Sequence, residues 1–164
     1  MLTVKSYGWE LDMSVDEEIK KKYNSNSNKR RIGISYKDAL NYIYDGIFPT
    51  SGQIMNEIDY CFKKYNLKPK TSITYDRLAY YLKEDKNVRL TFDNNVKYDL
   101  DDIKLKDINE DNILFKSGYI MEIKTFNGLP IWLREALNNL NIYPISYSKI
   151  GKLYTKLKEG GIYV

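Results

Sequence analysis

Apolar and polar side chains alternate along six stretches of the chain, a pattern that predicts half-buried β-strands. These stretches are residues 2–7, 15–23, 29–34, 70–82, 88–96 and 119–126. The polar residues 24–28 favour a turn, and a second polar group at 84–87 separates the fourth and fifth stretches. We therefore expect an N-terminal strand, two β-hairpins and a further strand at residues 119–126.

Helical spacing of apolar residues predicts four helices, at 35–46, 51–65, 130–140 and 146–159. Ser35 followed by Asp38 resembles a capping box, and Pro130 suits a first helical turn. The second helix carries an apolar stripe of Ile54, Ile58, Cys61, Phe62 and Tyr65, which we expect to pack on a sheet. Residues 99–111 are acidic and irregular, which indicates a loop.

Charged and hydroxyl side chains gather on one face of several predicted strands, since residues two apart share a face. The members are Glu18, Lys20, Lys22, Lys29, Arg31, Tyr75, Arg77, Arg89, Thr91, Asp93, Glu122 and Lys124. Closed into a barrel with helices outside, such faces would line a tunnel for a polyanion and a metal. The same alternation is also typical of an ordinary sheet with one solvated face, so both interpretations stay open.

Composition narrows the chemistry that these faces could support. The 164 residues are 43% hydrophobic, enough for a single domain over residues 1–164. The chain has no His, so acid–base or metal chemistry must use carboxylates, Lys or Tyr. The one cysteine, Cys61, has no His partner and lies in an apolar pattern, which indicates a core residue rather than a nucleophile.

The charge balance and hydropathy bear on partners and location. The 26 basic and 22 acidic residues give a mixed surface rather than the one-signed surface of a nucleic-acid-binding protein. No apolar run reaches the roughly 18 residues that a membrane span needs, and the N-terminus lacks a signal-peptide layout. We expect a cytoplasmic protein with no transmembrane segment in this chain and no nucleic-acid partner.

The charged strands carry a series of motifs that resembles the VTC domain, a polyphosphate-polymerase family of triphosphate-tunnel architecture. The motifs are Glu18-x-Lys20-x-Lys22, Lys29-x-Arg31, Tyr75-x-Arg77-x-Ala79-Tyr80, Arg89-x-Thr91-x-Asp93, Glu122-x-Lys124, Pro130-x-Trp132-Leu133 and Ser146-x-Ser148-Lys149. The resemblance runs from about Leu2 to Lys152. Each motif alone is weak, whereas their shared order and spacing are specific.

The resemblance implies roles for the matched residues. It implies that Arg77, Arg89 and Lys149 are catalytic and that Glu122 holds a divalent metal, Mn²⁺ or Mg²⁺. The phosphate-binding residues that it implies are Lys5, Lys20, Lys22, Lys29, Arg31, Tyr75, Lys124 and Ser148. These residue types suit the task, because cations neutralise phosphate oxygens and a carboxylate is the hard ligand that these metals prefer.

The sequence also departs from the family pattern. The family's Arg-x-Glu-x-Lys strand and Tyr-Phe-Asp segment do not precede Leu2, and Thr3 and Lys5 stand where two arginines are expected. We therefore expect an N-terminally truncated VTC-like domain with an α+β fold, in which helices pack outside an incomplete antiparallel β tunnel. An open sheet edge could pair with another chain, and the lost arginines should weaken phosphate binding.

Three functional hypotheses follow from this resemblance. The leading hypothesis is transfer of the terminal phosphoryl group of a nucleoside triphosphate, ATP, to a polyphosphate chain with a divalent metal. The second is an inactive remnant that only binds polyphosphate or other anions. The third is a tunnel-type triphosphate hydrolase, in which Glu18 or Glu122 would orient water. Whether the chain is an enzyme stays open at this point.

Overall fold

The structure is a computed structural model that describes residues 2–6, 14–23, 26–100 and 111–161, with side chains described from residue 29 onward. Its strands are β1 (Leu2–Ser6), β2 (Ser14–Tyr23), β3 (Asn26–Ser35), β4 (Thr71–Tyr81), β5 (Arg89–Leu100), β6 (Ile113–Phe115) and β7 (Ile120–Lys124). Its helices are α1 (Tyr36–Asp45), α2 (Gln53–Lys64), α3 (Ile131–Asn139) and α4 (Lys149–Glu159). The chain divides into two compact units, Met1–Pro69 and Lys70–Val164. The single domain over residues 1–164 stays a prediction.

The first unit contains an antiparallel sheet in the order β1-β2-β3. The predicted hairpin is confirmed, because β2 pairs with β3 from Ser14 opposite Ser35 to Tyr23 opposite Asn26. The predicted turn at 24–28 was too long, since residues 26–28 are already paired in β3. Cross-strand pairing overrides the weak strand preference of Asn and Ser at these positions.

Helices α1 and α2 cover one face of this sheet at β3. The Ser35 hydroxyl caps α1 by accepting from the Asp38 amide at 3.0 Å, as the capping pattern predicted. Tyr42, Met55 and Ile58 form a buried cluster, against which Cys61 packs. The predicted stripe of α2 was partly wrong, because Tyr65 is 63% exposed whereas Met55, outside that stripe, is fully buried.

The second unit contains a sheet built around β5. Strand β4 pairs with one edge of β5. On the other edge, β7 pairs with residues 89–93 of β5 and β6 pairs with residues 96–97. The second predicted hairpin is confirmed, and its β5 strand extends past the predicted end at residue 96. Strand β6, with three residues, was not predicted, and β7 is shorter than residues 119–126.

The α+β class with antiparallel sheets is confirmed. Within the described residues neither sheet closes on itself, which agrees with an incomplete barrel. Strand β4 lies at an edge of its sheet, so an open edge exists there, while its pairing with another chain stays a prediction. The acidic loop predicted at 99–111 falls mostly on residues 101–110, outside the described residues; residues 99 and 100 belong to β5.

A β-bulge in β5 changes which residues share a face of the second sheet. The register pairs Asp76 with Asn94 but Thr74 with Lys97, so β5 has one residue more than β4 over this interval. Asn95 has a positive φ of 48°, as a short side chain at a bulge can tolerate. The extra residue reverses the alternation, and Tyr98 therefore lies on the same face as Asp93.

Helix α4 packs on the apolar half of that face. Leu153 and Leu157, one turn apart, are buried with Tyr98. The Lys156 ammonium donates to the Ile113 carbonyl at 2.6 Å, which ties the helix to β6. Lys149 lies one turn before Leu153 on the same stripe, so the packing of α4 carries Lys149 toward the charged half of the face.

The remaining helical predictions differ from the structure only at their ends. Helix α3 begins after Pro130 and buries Leu133. Helix α4 begins at Lys149 rather than at residue 146, with Ser148 as its cap. None of the described helices has the length and apolar character needed to cross a membrane.

Candidate functional site

The predicted site residues of the second unit come together on one face of its sheet. We call this the charged face; it comprises Arg77, Arg89, Thr91, Asp93, Glu122 and Lys124. The strand register aligns them in three rungs, Tyr81-Arg89-Lys124, Ala79-Thr91-Glu122 and Arg77-Asp93-Ile120. The opposite face is apolar here, with the Phe92 ring in edge contact with Tyr80 and Tyr119. The predicted segregation of charge is thus confirmed for these strands.

Asp93 lies at one end of the charged face, opposite Arg77. Its side chain is 2% exposed, and one oxygen accepts from Arg77 Nε at 2.6 Å while the other accepts from Arg77 Nη2 at 2.8 Å. The second oxygen also accepts from Lys149 Nζ at 2.5 Å. A buried carboxylate is tolerated only when paired and hydrogen-bonded, and these two cations meet that need.

The two cations fix the protonation state of this cluster. Burial alone would raise the pKa of Asp93, but the hydrogen bonds from Arg77 and Lys149 outweigh burial and hold the pKa below its ordinary value. The hydrogen bonds between Arg77 and Asp93 also raise the pKa of Arg77. Asp93 is therefore ionised at neutral pH, and one negative charge balances one of the two positive charges.

Tyr75 contributes an aromatic surface to the same cluster. Its ring centroid lies 4.8 Å from the Arg77 guanidinium carbon and 4.2 Å from Lys149 Nζ. Both distances are within the range of cation–π attraction. The structure thus gives Tyr75 a role in holding cations, while its predicted hydrogen bond to phosphate stays a prediction. We refer to Asp93, Arg77, Lys149 and Tyr75 as the Asp93 cluster.

The Asp93 cluster keeps donors available for a ligand. The hydrogen bonds to Asp93 use Nε and Nη2 of Arg77, and Nη1 has no partner among the described residues. Lys149 uses one of its three N–H groups on Asp93. The side chains of Arg77 and Lys149 are 36% and 21% exposed, so both can be reached from solvent. Fixed cationic donors at an accessible surface suit phosphate oxygens.

A second group of cations lies at the other end of the charged face. Arg89 and Lys124 are directly opposite each other on neighbouring strands. The Arg89 guanidinium lies 5.8 Å from the Tyr81 ring centroid, and Arg89 forms no ion pair within the described part of the chain. Like charges directly opposite in a sheet are destabilising, and a bound anion would relieve that repulsion.

Glu122 is the carboxylate on this face that could hold a metal. Its side chain is 49% exposed, and its Oε1 atom lies 3.3 Å from Lys124 Nζ. By contrast, both oxygens of the buried Asp93 already accept hydrogen bonds from Arg77 or Lys149. In the register it faces Thr91, whose buried hydroxyl has no hydrogen-bond partner. No three acidic, Cys or His side chains converge among the described residues. This arrangement fits Mg²⁺ or Mn²⁺ held by one carboxylate, waters and substrate phosphates, rather than an all-protein cage.

Ser148 lies beside this site and has a structural partner. Its hydroxyl caps α4 by accepting from the Gly151 amide at 3.1 Å. A Ser hydroxyl has a donor left over when it accepts, so the cap is compatible with a phosphate contact. Its predicted phosphate contact stays a prediction.

The other predicted phosphate ligands belong to the first unit. Lys5 is in β1 and Lys20 and Lys22 are in β2, where the structure describes the backbone alone. The register places Lys20 opposite Lys29 and Glu18 opposite Arg31. Arg30 Nη1 bonds to Glu57 of α2 at 2.6 Å, so its neighbours in β3 lie on the face away from that helix. A surface shared by all predicted ligands stays a prediction.

The role of Asp93 was missed by sequence reasoning, which placed it on a charged face without a function. The register of the β4–β5 hairpin accounts for its position opposite Arg77. Val88 donates to the Asp85 carbonyl and Leu82 to the Val88 carbonyl, which centres the turn on Asp85. A hairpin centred there brings residue 77 opposite residue 93, whereas the polar residues 84–87 alone do not define the register to a single residue.

Comparison with known protein families identifies the family of this chain. The sequence model of the family described as the VTC domain matches residues 2–158. This span covers most of both units and includes every predicted site residue. A search among curated proteins found no match.

Proposed function

Because the chain belongs to the VTC domain family, we propose that it transfers the terminal phosphoryl group of ATP to a polyphosphate chain. The observation that carries this proposal is the Asp93 cluster, where a buried carboxylate fixes two cations whose other donors remain available. A solvated sheet face needs no such arrangement. A site for phosphate oxygens does, since recognition depends on fixed cationic donors.

In this proposal two groups of cations on the charged face bind different phosphates of the same chain. Arg77 and Lys149 bind oxygens at one end, and Arg89 and Lys124 bind oxygens at the other. Arg89 and Asp93 are four positions apart in β5, which corresponds to about 13 Å along an extended strand. Phosphates lying along β5 would therefore meet cations at both ends, as phosphoryl transfer requires for the spread of negative charge.

The reaction itself asks little covalent chemistry of the protein. The terminal oxygen of the acceptor polyphosphate attacks the γ-phosphorus of ATP, the bond from that phosphorus to the bridging oxygen breaks, and ADP leaves with the bonding electrons. The acceptor oxygen is already anionic, so no His or Ser nucleophile is needed. Arg77, Arg89 and Lys149 contribute by orienting the phosphates and stabilising their charge.

Glu122 completes the proposed site as the protein ligand for Mn²⁺ or Mg²⁺. When bound, such an ion neutralises phosphate charge. In the first unit, Lys5, Lys20, Lys22, Lys29 and Arg31 are proposed to contact further phosphates, and Tyr75 and Ser148 to add hydrogen bonds. The proposed partners are ATP and polyphosphate in the cytoplasm, with no nucleic acid.

A second candidate function is binding of polyphosphate without transfer. It is favoured by Thr3 and Lys5, which stand where the family pattern has two arginines. Thr carries no charge and Lys lacks the bidentate fork of Arg, so part of the charge stabilisation would be lost.

One experiment separates these functions. The full chain is incubated with labelled ATP, Mn²⁺ and a short polyphosphate primer, and polymer, ADP and free phosphate are measured, with Arg89→Ala as the control. Polymer formed with equimolar ADP supports the proposal. Primer binding without ADP release supports the second candidate, and free phosphate without polymer indicates hydrolysis. A chain that neither binds the primer nor consumes ATP would contradict the proposed function.

A further inference from the structure

We infer that Asp93 is a positioning residue, which fixes Arg77 and Lys149 for the phosphate chain and does not itself contact phosphate or metal. This inference rests on the proposed function. It assigns a role to a carboxylate within an anion-binding surface, where a negative charge alone would oppose binding.

The connectivity of Asp93 is the first reason. Arg77 comes from β4, Asp93 from β5 and Lys149 from the first turn of α4. Both oxygens of Asp93 are occupied, at 2.6 and 2.8 Å from Arg77 and 2.5 Å from Lys149. The carboxylate therefore joins three elements at one point. It is poorly placed to serve as a metal ligand, because each oxygen already accepts a hydrogen bond from a cation and the side chain is 2% exposed.

The second reason is the contrast between the exposure of Asp93 and that of its partners. Asp93 is 2% exposed, whereas Arg77 and Lys149 are 36% and 21% exposed. The cations thus lie between the carboxylate and solvent. A phosphate approaching from solvent meets the cations first, and Asp93 acts from behind them.

The third reason is the cost that the carboxylate prevents. Arg77 and Lys149 share the Tyr75 ring, so without Asp93 two like charges would lie close together and repel. Long cationic side chains also lose rotamer freedom when a ligand fixes them. In the Asp93 cluster the cationic side chains are already fixed before the ligand binds, so less conformational entropy is lost on binding. This favours correct geometry when the phosphoryl group is transferred.

These considerations predict an unusual kinetic signature for Asp93→Asn. The variant keeps the shape of the side chain but removes a negative charge from an anion site, so the KM for ATP should stay equal or decrease. The kcat should fall at least tenfold, because the cations lose their fixed positions. Asp76→Asn is the matched control, because it makes the same charge change at an exposed residue of β4 whose carboxylate accepts a hydrogen bond from Asn95. Its kcat should stay within twofold of wild type.

A second readout does not depend on activity. In the wild type, the Arg77 Nε–H should give a protected NMR cross-peak because it donates to a buried carboxylate, and tripolyphosphate should shift this peak without abolishing it. Asp93→Asn should lose the protected peak and Asp76→Asn should keep it. Assignment through Arg77→Lys identifies the peak.

The outcomes separate the inference from the proposed function. A wild type without polymer formation contradicts the proposed function, while the Arg77 cross-peak still decides the inference. An active wild type whose Asp93→Asn variant keeps its kcat, or raises KM alone, overturns the inference. Persistence of the protected peak in Asp93→Asn, or its loss in wild type on adding tripolyphosphate, overturns it as well.

Discussion

Replacing Arg77 tests how far the Asp93 cluster stabilises the second unit. Arg77→Ala removes both Arg77 hydrogen bonds to Asp93 and leaves this buried carboxylate with Lys149 as its partner. Removing one partner of a fully buried ion pair costs about 3–5 kcal/mol. Since Arg77 is 36% exposed, water can partly replace it, and we expect a loss of about 2–3 kcal/mol after that discount.

The assay is urea unfolding followed by circular dichroism, with Arg77→Lys and Arg134→Ala as comparisons. Arg77→Lys keeps the charge but loses the two-pronged contact, so its loss should be about half that of Arg77→Ala. Arg134 is exposed on α3, and its replacement should change the free energy of unfolding by less than about 0.5 kcal/mol. Equal unfolding midpoints for Arg77→Ala and wild type would refute the structural importance of the cluster.

Three further predictions concern the same unit. The pKa of Asp93 is lowered in the folded state, so its stabilising contribution is present above the unfolded pKa of about 4 and is lost as pH falls through the lower, folded pKa. The free energy of unfolding should therefore fall less steeply with decreasing pH in Asp93→Asn than in the wild type. Equal slopes would contradict this. Leu153→Ala, at a site that is 2% exposed, should lower the free energy of unfolding by about 2–5 kcal/mol. It should also weaken tripolyphosphate binding, measured by calorimetry, because the packing of α4 positions Lys149. Unchanged binding would show that this packing does not position Lys149. Glu122→Gln should reduce the dependence of polymer formation on Mn²⁺ without changing the thermal midpoint, and an unchanged Mn²⁺ dependence would remove Glu122 from the metal site.

The strands and their charged faces could be predicted from the sequence because the residues on one face of a strand occur at every second position. Arg89, Thr91 and Asp93 illustrate this, since their alternation with apolar residues persists in β5. The bulge could not be predicted in the same way. Asn95 interrupts the alternation with a single left-handed residue, and nothing in the local pattern shows that Tyr98 then shares a face with Asp93.

The arrangement of the site was predictable in part. The family resemblance implied that Arg77 and Lys149 are both catalytic, and the structure brings both to one carboxylate. The choice of Asp93 as that carboxylate depends on hairpin register and on the packing of α4, which join residues 56 positions apart. Such long-range contacts leave little trace in a single sequence, because each partner alone looks like an ordinary surface charge.

Calorimetric titration of the full chain with tripolyphosphate measures whether the Asp93 cluster on the charged face binds phosphate. Lys149→Met removes a cation of the cluster, and Lys152→Met removes an exposed cation from the next turn of the same helix. We expect the wild type to bind tripolyphosphate, with affinity weakened at least tenfold, about 1.4 kcal/mol, by Lys149→Met and less than threefold by Lys152→Met. Equal effects of the two variants, or no binding by the wild type, would contradict this expectation.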